Sequence, residues 1–295
     1  MAGKWEPIGP SNTFSLLGLR ETLLGGQSFA WSAKGTDQWI GVIGHAQVEL
    51  RWIAGQLQWR STGPTPLRKK DLWDYLWLDD SYLEAADSLP WRSDAILSRA
   101  MQGFPGLRIL RQPIEETLMV FLLSSAKSIP QIKQLRDKIH QLLGDELNEG
   151  MHAFPGWSRL QNLSEREARN LGMGYRAKYL VGTAQFLKKN PHFLHSLKSL
   201  SYPQAKLKLM ELPGVGPKVA DCVLLFGGQM HQAFPIDTWI LQSLAKQYGM
   251  SGWKISQMQE FARIHFGQYA GLAQQFLFSY QRSLSQNLEG KGRKI

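Results

Sequence analysis

Residues Glu211–Cys222 read ELPGVGPKVADC, and the reading of this stretch decides most of the chain. Two glycines bracket Val215, Pro217 follows, and Lys218 opens an apolar run. A nucleotide-phosphate cradle fails on two counts. A Walker A loop needs Ser or Thr after its lysine, where Val219 stands, and a Rossmann turn needs a third glycine at that same position. Both also need a preceding strand, whereas the flanking segments carry helical punctuation. The stretch fits a helix–hairpin–helix with Pro213-Gly214-Val215-Gly216 as the hairpin. Its glycines admit positive φ and let backbone amides come close to a phosphate. Amides at the start of the second helix, helped by the helix dipole, then hold a duplex by its backbone without reading its bases. A plain turn between two helices is the other reading.

Lys218 falls in the first turn of that second helix, where a cation opposes the dipole. The position is poor for stability and useful for chemistry, since desolvation and positive backbone dipoles favour the neutral amine a Schiff base requires. Asp237, in AFPIDTWILQSLA, follows an extended Pro235-Ile236 and stands at the N-cap of the next helix. A cap at that place also aims a carboxylate, so Lys218 and Asp237 form a candidate nucleophile and acid/base pair. His192 and His195 are spaced i, i+3 without a third ligand nearby in sequence, which reads as surface.

Working outward, the 295 residues carry a net charge of +10, which favours nucleic acid as a partner over an anionic membrane surface. A single cysteine, Cys222, excludes an intrachain disulfide framework and any four-cysteine iron–sulfur or zinc site. The N-terminus lacks the apolar core of a signal peptide, and no run reaches the roughly eighteen apolar residues of a membrane span, so the expectation is an intracellular, DNA-associated protein. Eight of the eleven tryptophans precede residue 100. There QWIGVIG, AQVELRW and GQLQWRS read as antiparallel strands, with Ala46, Val48, Leu50 and Trp52 alternating against Gln47, Glu49 and Arg51. DLWDYLWLDDSYLEAADSLPW reads as one helix ending near Pro90, and beyond residue 100 helical segments dominate, the first opening with Pro113 at an N1-like position. EGKGRKI forms a basic C-terminal tail. The expected fold is α+β, with residues 1–104 as an antiparallel β domain with flanking helices and 105–295 as a helical body.

Five segments in consistent order, from near residue 15 to near 285, resemble the 8-oxoguanine DNA glycosylase branch of the helix–hairpin–helix glycosylases. They are GGQSFAW (Gly25–Trp31), GLRILRQPIEETLMVFLLSS (Gly106–Ser125), LGMGYRAKYL (Leu171–Leu180), LPGVGPKVADC and YAGLAQQFLFS (Tyr269–Ser279). The resemblance implies a sheet domain like that of the TATA-binding protein, a base-flipping pocket and a bifunctional glycosylase/AP lyase acting in base excision repair on 8-oxoguanine in double-stranded DNA. It implies that Lys218 attacks C1′ of the damaged nucleoside and that Asp237 stabilises the positive charge developing there. Phe278 and Cys222 match the walls around the flipped base, Gln274 the reader of its Watson–Crick edge, and Gly26 the carbonyl that accepts the N7 hydrogen peculiar to the lesion. Gly214, Val215 and Gly216 match the DNA-gripping hairpin, while Tyr175 and Arg176 match a wedge and a reader of the orphaned cytosine. Also implied are a monomer and a cation held loosely by hairpin backbone carbonyls, with no other cofactor.

The chain departs from the family at the opposite base. The asparagine run after Ser124-Ser125 is here Ala126-Lys127-Ser128, and the second cytosine-reading arginine is Gln131. Lost bidentate contacts are worth about 1–3 kcal/mol each in base preference, so weaker discrimination for cytosine is expected. Trp239 stands where the family usually carries histidine. Read without the resemblance, Phe278, Gln274, Cys222 and Gly26 could be ordinary core and turn residues. Two other readings keep the fold: a glycosylase for a different damaged purine, and a non-catalytic damaged-DNA-binding module, which the Lys218–Asp237 pair disfavours.

Overall fold

A computed structural model describes residues 3–292; Arg293–Ile295, the end of the expected basic tail, lie outside the described residues. The N-terminal part is a five-stranded antiparallel sheet, as expected, in the order β1-β5-β4-β3-β2: β1 (Glu6–Pro7), β2 (Trp31–Ala33), β3 (Gln38–Ile43), β4 (Ala46–Ile53) and β5 (Gln56–Thr62). Ala54 and Gly55 both adopt positive φ in the two-residue loop joining β4 to β5, a turn whose twist matches that of the strands. The inner face buries Trp31, Trp39, Val48, Leu50, Leu57 and Trp59 against α1 (Leu16–Leu24) and α2 (Lys69–Tyr75). The outer face departs from simple alternation, because Gln47 and Glu49 are buried as well. Segment 145–153 covers that side, packing Leu147 and Ala153 on Val42, while Arg60 and Lys34 pair with Glu49.

The single helix expected over residues 71–91 is two, α2 and α3 (Ser81–Ser88), followed by α4 (Ala95–Gly103). The break falls at Trp77, which takes φ +50. Leu72, Tyr75 and Leu76 belong to the sheet's core, whereas Trp77 and Tyr82 pack with the helical body, so the chain must turn to serve both. Arg111 pairs with Asp79 beside the kink, and Trp77 Nε1 donates to Ser81 Oγ at 2.8 Å. By packing, then, α3 and α4 join the helical body although they precede the expected boundary at 104/105.

That body continues with α5 (Ile114–Leu123), α6 (Ile129–Leu143), α7 (Gly156–Leu160), α8 (Glu165–Ala168), α9 (Arg176–Lys189), α10 (Phe193–Ser196) and α11 (Tyr202–Leu209). Next come α12 (Pro217–Phe226), α13 (Thr238–Gln247), α14 (Ile255–Phe266) and α15 (Ala270–Gly292). Pro113 is the N-cap of α5, one residue earlier than the expected N1, with ψ 127. From Thr117 to Leu123 every residue of α5 is buried, which marks it as the central helix of the body. It packs against α12, with Phe121 stacked on Phe226 at 5.5 Å. The end of α5 and the start of α12 therefore meet on one side of the core.

Candidate active site

The hairpin residues divide by role. Gly214 has φ +80, and a Cβ there would lie 2.4 Å from Tyr179 Cγ, so both conformation and space require glycine. Val215 is buried in the core and anchors the turn, with its amide donating to Leu212 O at 3.1 Å; only its backbone is available to a partner. Gly216 caps α12 with φ −92, and nothing lies within 4 Å of a Cβ added there. The fold thus needs the first glycine, and the second keeps open the approach to the helix N-terminus. Gly214→Ala is expected to lower stability by about 1–3 kcal/mol and to weaken DNA binding as the hairpin shifts. Gly216→Ala is expected to stay within about 1 kcal/mol of the parent while still weakening DNA binding. Thermal melts together with duplex titrations separate the two effects.

Pro217 and Lys218 form the first turn of α12, and the Lys218 side chain runs toward the end of α5. Its Nζ lies 3.4 Å from Ser124 Oγ and 5.5 Å from the Phe121 ring centre. Asp237 is the N-cap of α13, as its sequence context predicts, and its carboxylate accepts the Ile240 amide at 2.9 Å. Burial pushes the Asp237 carboxyl up from its ordinary value; the Ile240 amide and the Lys218 charge draw it partly back. Lys218 and Asp237 line one cavity of about 940 Å³, large enough for a nucleoside.

The same cavity collects Gly26, Cys222, Trp239, Gln274 and Phe278. Cys222 lies one turn beyond Lys218 and is buried, which pushes its thiol up to about 12 and leaves it an apolar wall rather than a nucleophile. Gly26 takes φ +90, and a Cβ would press on Ile129 Cδ1 at 2.8 Å while facing Phe278 Cζ at 3.8 Å. The backbone there forms a floor that only glycine can provide. Gln274 Nε2 donates to Pro235 O at 3.3 Å, which leaves its buried Oε1 without a partner. Gly26 and Phe278, 252 residues apart in sequence, thus converge with Lys218 and Asp237 on one cavity.

The profile for the N-terminal domain of 8-oxoguanine DNA glycosylase matches residues 11–118. An N-glycosylase/DNA lyase OGG1 of Arabidopsis thaliana is 35% identical over 93% of this chain and 80% of its own length. The chain belongs to the 8-oxoguanine DNA glycosylase family. Within that family, a probable N-glycosylase/DNA lyase of Methanothermobacter thermautotrophicus is 29% identical over 80% of this chain and 82% of its own. A crystal structure of the Clostridium acetobutylicum 8-oxoguanine glycosylase/lyase, bound to double-stranded DNA with cytosine opposite the lesion, superposes with a TM-score of 0.84. It is 27% identical, and the match covers 96% of this chain and 99% of that one.

Other residues singled out by the family resemblance lie around the mouth or away from it. Tyr175 is 47% exposed, on a loop bent by Gly172 and Gly174 at positive φ. Arg176 is buried instead of presented: its guanidinium donates to the Ser125 and Met173 carbonyls and lies 4.4 Å from the Tyr175 ring. Lys127 is half-buried at the cavity mouth. Ala126 takes φ +51, a conformation that asparagine adopts more readily. Gln131 is exposed and spends its side-chain oxygen on the Ser128 amide at 2.9 Å, capping α6. His192 and His195 are on the surface, and among the described residues no group of three or more ligand-type side chains forms a metal site. Sequence reasoning missed Ser124, the clamp of Arg282 on Glu21, and Gln275 at the cavity wall. Ser124 lies within the quoted Gly106–Ser125 motif, but nothing local marks its contact with Lys218; Glu21 and Arg282 are 261 residues apart and give no local signal.

Proposed function

We propose that this chain is a bifunctional DNA glycosylase/AP lyase that excises 8-oxoguanine from duplex DNA. The observation that carries the reading is the convergence of Lys218 and Asp237 on one nucleoside-sized cavity beside a floor at Gly26 and a wall at Phe278. In this reading the hairpin holds the duplex by its phosphates and the damaged nucleotide is flipped into the cavity. The neutral Lys218 amine attacks C1′, the N-glycosidic bond breaks, and the base departs with a proton. Asp237 stabilises the positive charge that builds at C1′ and assists the proton transfers. Breaking of the C1′–O4′ bond, with O4′ taking up a proton, opens the sugar and turns the resulting aminal into an imine, which acidifies C2′; loss of that proton breaks the C3′–O bond and cuts the strand. Phe278 and Cys222 sandwich the base, Gln274 Oε1 accepts from its Watson–Crick edge, and the Gly26 carbonyl accepts the N7 hydrogen that guanine lacks.

The protein would act as a monomer, intracellularly, wherever its DNA lies. A loosely held cation on hairpin carbonyls is part of the proposal: Leu212 O and Pro213 O each accept one hydrogen bond and keep a lone pair free, and such neutral oxygens suit a hard cation. The test is borohydride trapping on duplex DNA containing 8-oxoguanine. A covalent complex is expected, and none on undamaged duplex. Its absence with the lesion would remove the lyase claim, and excision of plain guanine at a comparable rate would remove the lesion. Preference for cytosine opposite the lesion is expected to be weak, because Ala126 and Gln131 offer no reading contacts. Introducing Ala126→Asn with Gln131→Arg should raise the ratio of excision opposite C to excision opposite A by about 10-fold or more. An unchanged ratio would place base-pair selectivity elsewhere.

A further inference from the structure

Glu21 lies in the last turn of α1 and Arg282 on α15, and their side chains meet beside the cavity. Arg282 Nη2 donates to both Glu21 carboxylate oxygens, each at 2.8 Å. The pair is largely withdrawn from water, with 11% of the Glu21 side chain and 16% of the Arg282 side chain exposed. Each partner touches one wall of the cavity. The Glu21 carbonyl accepts the Gly25 amide at 2.8 Å, and a Cβ at Gly25 would stand 3.1 Å from Glu21 Oε2. Glu21 therefore lies against the segment that carries Gly26. Arg282 lines the cavity one turn beyond Phe278, with its guanidinium carbon 5.6 Å from the Phe278 ring centre. Apolar packing ties the two helices to different cores. Leu19 and Leu23 anchor α1 in the core of the sheet, whereas Phe276, Leu277 and Phe278 anchor α15 in that of the helical body. The ion pair joins them at the cavity. Apolar residues of the same size often serve stability as well as a buried ion pair does, but two short bonds fix a distance that non-directional apolar contact leaves loose.

We infer that Glu21 and Arg282 are positioning residues that hold the Gly26 segment at a set spacing from Phe278 and so fix the width of the slot that receives the flipped base. The inference rests on the excision reading above. A misplacement of about 1 Å costs on the order of 100-fold in rate, and a sugar without a base makes no use of the slot. Full-length Glu21→Gln, Arg282→Met and their combination test this in single-turnover assays on duplex DNA. Each single variant is expected to slow 8-oxoguanine excision by about 10- to 100-fold, while cleavage at an abasic site stays within about twofold of the parent. The combination should be no slower than the worse single variant, because the two share one interaction. It also leaves no unpaired charge, so it keeps the test open should a single variant fold poorly. A single nitrogen makes both bonds, so a point charge suffices there, and Arg282→Lys should excise the lesion within about fivefold of the parent.

Equal losses on lesion and abasic duplexes would make the pair structural and overturn the inference, as would parent-like excision by the combined variant. A slow Arg282→Met beside a parent-like Glu21→Gln would give Arg282 a contact of its own with the DNA and overturn it too. Each of these leaves the glycosylase reading intact. A parent protein that cleaves the abasic duplex yet leaves 8-oxoguanine in place would overturn both.

Discussion

Lys218→Gln is expected to lose borohydride trapping completely and to slow strand cleavage at 8-oxoguanine by roughly 10³-fold or more, the scale of removing a covalent nucleophile. Duplex affinity should change little, because the hairpin amides and the start of α12 persist, and one of 34 basic residues is lost. Stability should rise slightly. Lys218 places a cation in the first turn of α12, where it opposes the helix dipole at a cost of about 0.3–1 kcal/mol, and its ammonium meets Ser124 Oγ at the long distance of 3.4 Å. Glutamine removes the charge and keeps much of the side chain's packing on Phe121. Loss of chemistry, retained binding and a slightly higher melting temperature together distinguish a reactive amine from a counter-charge for phosphate. A lysine serving only as a counter-charge would show the opposite pattern, with weaker binding and intact turnover.

The parts of the site that were legible in the sequence are those whose cause is local. Gly214 sits in a tight turn at positive φ, and Pro217 and Lys218 follow at the helix start, so the hairpin announces itself within six residues. Asp237 is equally local, an N-cap after an extended Pro-Ile pair. The sheet was legible from its alternation, but the burial of Gln47 and Glu49 was not, because segment 145–153 covers them from the far side of the chain. Nor was the break at Trp77, whose indole is drawn into the helical body while its neighbours serve the sheet. Arg176 shows the same limit. Its place in the motif marks it for the DNA face, yet the guanidinium is held inward by the Ser125 and Met173 carbonyls.

Asp237→Asn is expected to slow base excision by about 10²–10⁴-fold while the protein melts no lower than the parent at pH 7. Asparagine is an equally good N-cap and can accept the Ile240 amide as Asp237 does, so the start of α13 should hold. The change removes a buried charge. Because burial raises the folded-state pKa of Asp237 above its unfolded value, ionising it costs stability as pH rises through that interval, and the cost is fully present above it. The stability gain of Asp237→Asn should therefore be present at neutral pH and vanish in acid, where Asp237 is already protonated. Catalysis should follow the same group in the opposite sense. A carboxyl must be ionised to stabilise charge at C1′, so the parent's single-turnover rate should fall on an acid limb displaced above the ordinary carboxylate range, and Asp237→Asn should lose that limb. An Asn variant that melts well below the parent, or that keeps the acid limb, would return Asp237 to the role of a helix cap. The paired outcome, more stable and far slower, is what a carboxylate held in a buried site for its chemistry requires.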